Sequence, residues 1–448
     1  MTATTAPAAV KARDRLAESK LNTLFFATAA FMIVVMMRPQ DIVPVLGLIR
    51  PGVLTTGFLF YAVLRYGYDN IPHKNDPLVR CFLWFLGSLV FGLIVVVNHN
   101  SWFWTVFAVV SYICAYVIAL PILLTSDKYR NRIFAIFLLS FGVGAIFSLT
   151  HGGRGPGDWQ GDENDMAGAL GLGFCIALSY WLAPGRRPFK WLAWAVAGVC
   201  ALGIVVAGSR GGMLGFIAGG LGIAYFSGKL FRSLLIATVL AVVAIPFLPE
   251  ETKSDFMSIN NKDDTTRQER IYSWQKGWEM FLRSPLLGVG PNNYPWRIGE
   301  MQNLNPEFGQ PDYWRPLAGR VAHSSYVTVL AETGLTGTIP YALIIVIMLA
   351  RCRRAIYHDK NITDWQRFAA FAAGSGWLAY GTSAIFISQT YAPPIFMMAG
   401  LAISLGYVAP SKPTRKGARP SAARSVRSEH GADEGGDMPK VAGRTKLR

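Results

Sequence analysis

Charge is missing from long stretches of this chain. Residues 22–37, 82–97, 102–126 and 191–209 contain no Lys, Arg, Asp or Glu. Each reaches or approaches the roughly 20 residues with which an α-helix crosses a bilayer. Inside lipid the backbone N–H and C=O groups find no water, so a spanning segment must satisfy them itself, as a helix does. One such run would fit a buried helix of a soluble protein; about twelve in series do not. The average agrees, with 52% of residues hydrophobic and 16% charged, against roughly 25% charge in soluble domains. The expected fold class is all-α: a polytopic integral membrane protein of about 12 transmembrane helices, with one large, partly helical loop. The spans fall near 21–37, 52–66, 78–97, 103–124, 132–149, 166–183, 190–208, 211–227, 230–248, 323–350, 366–388 and 392–408.

Orientation follows from the basic residues. Of the 43 Lys and Arg, thirty lie in alternate segments on one side (1–20, 65–80, 125–132, 184–190, 228–232, 351–367 and 409–448) and thirteen on the other. Short loops rich in Lys and Arg stay in the cytoplasm, so both termini are expected there. Nine of the thirteen sit in 249–322, a loop long enough to translocate whatever its charge. The formal net charge of +16 is thereby read as membrane orientation, and no nucleic-acid partner is implied. The expected organisation is a cytoplasmic segment 1–20, a membrane domain 21–408 containing the large outer loop, and a disordered basic tail 409–448. The first span, preceded by about twenty polar residues, should act as an uncleaved anchor. Cys81, Cys114, Cys175, Cys200 and Cys352 fall in spans or at their cytoplasmic ends, so no disulfide is expected.

Within the long loop, Thr266-Arg267-Gln268-Glu269 is a capping-box pattern. Ile271, Trp274, Trp278 and Phe281 follow at helical spacing, and Pro285 ends that helix.

Four constellations carry possible chemistry. Ser209-Arg210-Gly211-Gly212 joins the seventh and eighth spans; Ser209 can cap the next helix, and glycines let a ligand approach the backbone. A helix N-terminus with an arginine suits an anion such as phosphate, while a snorkelling arginine at a span end is the structural alternative. Gly215, Gly219 and Gly222 behind it read as helix-packing positions. Arg267 and Arg270, one turn apart with Trp274 on the same face, suit a diphosphate, or equally a helix lying on lipid headgroups. His323-Ser324-Ser325-Tyr326 opens the tenth span, with Glu332 about two turns deeper. Histidine is the side chain most readily used as a base near neutral pH, although a lone histidine at a helix start is often structural. Finally, Asp158 to Asp165 holds four acids, which fit a divalent cation or, more simply, a hydrated loop. No Walker-type loop or nucleotide-binding βαβ unit is present, so a cytosolic nucleotide sugar or ATP is not expected as direct substrate.

These residues resemble a known family. Ser209-Arg210-Gly211-Gly212 resembles the arginine motif of the bacterial O-antigen ligase/polymerase family. The run from Arg270 through Trp278 to Ser284–Tyr294 resembles its periplasmic helix and the turn that follows. His323-Ser324-Ser325-Tyr326 with Leu330–Gly337 resembles its histidine motif, and Asn164-Asp165-Met166-Ala167 matches more weakly the start of a central span. Together the matches cover roughly residues 150–345.

The resemblance implies a GT-C-like enzyme of the bacterial inner membrane. Such an enzyme moves glycans from an undecaprenyl-diphosphate carrier to an acceptor hydroxyl on the periplasmic side. The acceptor is lipid A-core (a lipopolysaccharide ligase), a growing glycan chain (a polymerase) or a protein. The resemblance implies no metal or cofactor and inversion at the anomeric carbon. By the same resemblance, Arg210 and Arg270 hold the diphosphate and His323 activates the acceptor. Ser209, Gly211, Arg267, Asn293, Tyr294 and Glu332 are the associated substrate-binding candidates. Ligase is slightly preferred over polymerase. A transporter or flippase is the rival from another class, though neither an inverted repeat nor an ionisable residue clearly at the midplane is visible in the sequence.

Overall fold

The structure, a computed structural model, describes residues 6–185, 187–227, 265–304 and 316–407. The expected ninth span (230–248), the basic tail from 408 onward and residues 249–264 and 305–315 of the long loop lie outside the described residues. Among the described residues there are helices and connections and no strand. The helices are α1 (Ala6–Met37), α2 (Pro51–Tyr66), α3 (Pro77–Phe91), α4 (His99–Tyr112, running on to Leu124), α5 (Asp127–Thr150), α6 (Glu163–Leu182) and α7 (Lys190–Ala207). They continue as α8 (Arg210–Phe226), α9 (Thr265–Arg283), α10 (Tyr294–Leu304), α11 (Ser325–Tyr357), α12 (Asp364–Ser383) and α13 (Pro393–Ser404). This is the polytopic all-helical membrane fold expected from the sequence.

A helix occupies each of the eleven expected spans that fall on described residues. Among the described residues, seven helical stretches are long and apolar enough to cross a membrane: Arg15–Met37, Pro77–Ile94, His99–Leu124, Asp127–Thr150, Glu163–Leu182, Lys190–Ala207 and Ser325–Tyr357. The other four depart for identifiable reasons. α2 and α8 have 16 and 17 residues, or about 24–26 Å at 1.5 Å per residue, and α13 has 12. α12 has 20 residues, but it is Ala- and Gly-rich and buried along nearly its whole length. A helix that faces protein on all sides need not be strongly apolar.

The centre of the membrane domain is the packing of α6, α7, α8 and α12. The glycines of α8 make it possible. A Cβ at Gly215 would collide with the Ala379 carbonyl and Ser383 of α12, and one at Gly219 with Ala379 and with Cys175 of α6. The packing role expected for these residues is what the structure gives them.

α11 is interrupted. Gly334 has φ 55° and ψ −154°, a conformation that L residues rarely adopt. The break frees backbone groups, and the segment after α9 occupies it. Leu335 N–H donates to the Pro285 carbonyl at 2.8 Å, while Val289 and Gly290 N–H donate to the Ala331 and Glu332 carbonyls at 2.9 Å each. The long loop is thus stitched into a membrane helix by main-chain hydrogen bonds, as irregular backbone at membrane depth requires.

α9 forms where the spacing placed a helix and ends before Pro285. Of the stripe Ile271, Trp274, Trp278 and Phe281, Ile271 and Trp278 face outward, 43% and 52% exposed. The buried face is Tyr272, Ser273, Lys276 and Met280, with Lys276 neutralised by Glu279 at 3.1 Å. The buried face is thus partly polar and the exposed one carries Ile271 and Trp278, so spacing alone does not say which is inward.

Candidate functional site

The starts of α6 and α8 meet. Asp162 caps α6 by accepting from Asp165 N–H at 2.7 Å. Ser209 caps α8 by accepting from Gly212 N–H at 3.0 Å, and its hydroxyl donates to Asn164 Oδ1 at 2.7 Å. The cap expected of Ser209 therefore forms. Its second bond ties the arginine motif to the asparagine that matched only weakly. Arg210, half-buried, is the first residue of α8, where the helix N-terminus and its own charge both favour an anion. At Gly211 and Gly212 the space that a Cβ would take is already filled. Phe386 covers the first, and Ala167 presses against the second. They are close-packing residues.

The histidine motif joins the same region through a segment that sequence reasoning passed over, residues 383–391. Ser325 N–H donates to the Ala384 carbonyl at 2.8 Å and its hydroxyl to the Ile387 carbonyl at 2.7 Å. Gln389 N–H donates to Ser325 Oγ at 3.0 Å, and Gln389 Nε2 to Asp165 Oδ2 at 2.7 Å. Ser383 Oγ donates to the Gly211 carbonyl at 3.3 Å. Asn164-Asp165, Ser209-Arg210-Gly211 and His323-Ser324-Ser325 are thereby held on one hydrogen-bonded framework. The only signal was a polar Ser388-Gln389-Thr390 between two apolar runs, which any hairpin between spans carries.

His323 lies just before α11, partly buried, with φ 49°. A left-handed backbone costs a non-glycine residue roughly 1–2 kcal/mol, so surrounding contacts must hold it. They come from α9: Trp274 Nε1 donates to the Ala322 carbonyl at 2.9 Å, and Arg320 pairs with Glu269. Burial, and next the nearby Arg270 guanidinium, push the His323 pKa below its ordinary value; Asp162 opposes this and Arg320 adds to it. The ring is therefore neutral at neutral pH, with a cation near it. Of the two α9 arginines, Arg270 acts on His323; Arg267 is exposed. A neutral imidazole near guanidinium groups at a membrane boundary can accept a proton while negative charge is stabilised close by.

Glu332, Asn293 and Tyr294 lie together elsewhere. Glu332 is buried, its Oε2 accepting from Asn292 N–H and Tyr391 Oη at 2.7 Å each, and its Oε1 from Tyr294 N–H at 2.9 Å. Asn293 Oδ1 accepts from Val97 and Asn98 N–H at 2.9 and 2.7 Å. Tyr294 Oη donates to the Ser273 carbonyl. These side chains are turned inward and hold the loop, so the structure gives them scaffold contacts rather than an open substrate face.

The acidic stretch is dispersed into structural roles. Asp162 is a cap, Asp165 receives Gln389, and Glu163 pairs with Arg154 at 2.8 Å. Among the described residues, no group of three His, Cys, Asp or Glu could hold a metal ion.

The fold is that of a helical membrane protein, and Arg210, Arg270 and His323 form its candidate site. Residues 195–342 match the O-antigen ligase family model, a segment that contains Arg210, Arg270 and His323 and leaves Asn164 and Gln389 outside. An exopolysaccharide production protein, ExoQ of Rhizobium meliloti, is 34% identical over 101 residues. The match spans 22% of this chain and 22% of that protein. Over residues 195–342 the resemblance read from the motifs and the match to the O-antigen ligase family model agree.

Proposed function

We propose that the protein transfers an oligo- or polysaccharide from an undecaprenyl-diphosphate carrier to an acceptor hydroxyl on the periplasmic side of the bacterial inner membrane. The supporting observation is the framework that holds the arginine and histidine motifs together, with Arg270 close enough to lower the His323 pKa. In the proposed step, His323 takes the proton from the acceptor hydroxyl and the acceptor oxygen attacks the anomeric carbon. The carbon–oxygen bond to the carrier breaks, and the diphosphate leaves toward Arg210 and Arg270. One displacement inverts the anomeric configuration. No metal is assigned a part, so transfer by purified protein should continue in EDTA; loss of activity that Mg²⁺ restores contradicts this.

As an O-antigen ligase, the protein would use lipid A-core as acceptor. The relative named for exopolysaccharide production favours a second reading, in which a growing glycan chain is the acceptor. Deletion of the gene, followed by analysis of lipid-linked glycan, separates the two. A missing ligase leaves long polymer on the carrier, and a missing polymerase leaves single repeat units. Repeat units trapped on the cytoplasmic face would instead indicate a flippase and end the transferase reading.

A further inference from the structure

α1 and α2 pack side by side, and a groove of about 540 Å³ runs between them. It is polar at one end and aromatic at the other. At the polar end stand Arg15 of α1 and Arg65 of α2. Arg65 is held by neutral groups, its Nη1 donating to Thr23 Oγ1 at 2.9 Å and its Nη2 to Ser19 Oγ at 3.2 Å. Glu18 also lines the groove, its carboxylate paired with Lys128 at 3.2 Å, so the lining side chains carry two positive charges against one negative. At the other end lie Phe26, Phe58 and Tyr61, each 40–58% exposed.

The two arginines sit at the same membrane surface. The first span begins at Arg15, so α1 leaves that surface, and α2 returns to end at Tyr66, one residue after Arg65. Eleven residues separate Arg15 from Phe26, about 16 Å along a helix, which matches a lipid headgroup, glycerol and the first part of an acyl chain. That surface is the one with the excess of Lys and Arg, opposite the transfer site in the charge partition, so a carrier poised for transfer does not occupy the groove.

We propose that this groove binds an anionic phospholipid, with its phosphate between Arg15 and Arg65 and its acyl chains along Phe26, Phe58 and Tyr61. Two guanidinium groups, that of Arg65 held by Thr23 and Ser19, suit a phosphate. A zwitterionic headgroup carries its own cation and gains less from them.

Native mass spectrometry of the full chain, titrated with phosphatidylglycerol or phosphatidylcholine of matched acyl chains, tests this. Phosphatidylglycerol should be retained preferentially, and Arg15→Gln should lower that retention about fivefold, with a further loss of similar size in the Arg15→Gln/Arg65→Gln double variant. Arg15 is exposed, so its substitution leaves packing intact even if Arg65→Gln disturbs α1. Phosphatidylcholine retention should not change, and Lys360→Gln, on the same membrane surface, should leave both lipids unaffected. Equal retention of the two lipids by the unsubstituted protein, unchanged retention in Arg15→Gln, or an equal loss in Lys360→Gln would each overturn the proposal.

Discussion

His323 and Glu332 are nine residues apart on either side of one helix start, yet they sit in opposite kinds of environment. Both oxygens of Glu332 are occupied by donors of the chain itself. The ring of His323 lies in a left-handed turn near Arg270, on backbone that hydrogen bonds from α9 and the 384–390 segment hold in place. One end of the histidine motif fixes the loop into the interrupted helix, and the other presents a group suited to proton transfer. A sequence motif can therefore be half scaffold and half chemistry, and the two halves should fail differently when broken.

The largest effect is expected at the arginines. Arg210→Ala and Arg270→Ala should each abolish transfer while the protein still accumulates in the membrane. Arg→Lys should also be impaired, because a point charge does not reproduce bidentate contacts. Transfer assays beside immunoblots of membrane fractions check this, and full activity in both alanine variants removes the diphosphate clamp.

Glu332 should fail the other way. Glu332→Ala leaves two buried N–H groups and the Tyr391 hydroxyl without their acceptor, at about 1–3 kcal/mol each. Accumulation and thermal stability should fall together with activity, and Glu332→Gln, which keeps one acceptor oxygen, should fall less. A Glu332→Ala protein that is stable but inactive would make this residue part of the chemistry and erase the contrast.

The smallest effect tunes His323. Asp162 opposes the lowering of its pKa, so Asp162→Asn should lower that pKa further. Asparagine still caps a helix, and packing should be kept. Activity requires the deprotonated ring, so the acid limb of the pH–rate profile should lie below the ordinary histidine range and move to still lower pH in Asp162→Asn. A shift to higher pH would contradict the electrostatic account.

Much of this was legible in the sequence, for physical reasons. Charge-free runs must become membrane helices, and the Ser209 cap and the α8 glycines follow from local rules. The juxtapositions were not legible. The Gln389 bridge between Asp165 and Ser325 depends on how spans far apart in sequence pack. The break at Gly334 depends on the backbone of 284–293 that pairs with it, and the inward face of α9 on which side found a neighbour. The close packing of Phe386 on Gly211 was not legible either, because a glycine that admits a ligand and one that admits a side chain look alike in sequence.

The central claim is that His323 is the acceptor-activating base, and the pH–rate profile of His323→Gln tests it most directly. Glutamine keeps hydrogen-bonding capacity without useful basicity. A positioned base contributes about 10²–10⁴-fold in rate, so turnover should fall within that range, donor binding should persist through the arginines, and the acid limb should disappear. Near wild-type turnover with an unchanged acid limb would contradict the account and leave His323 as an orienting group.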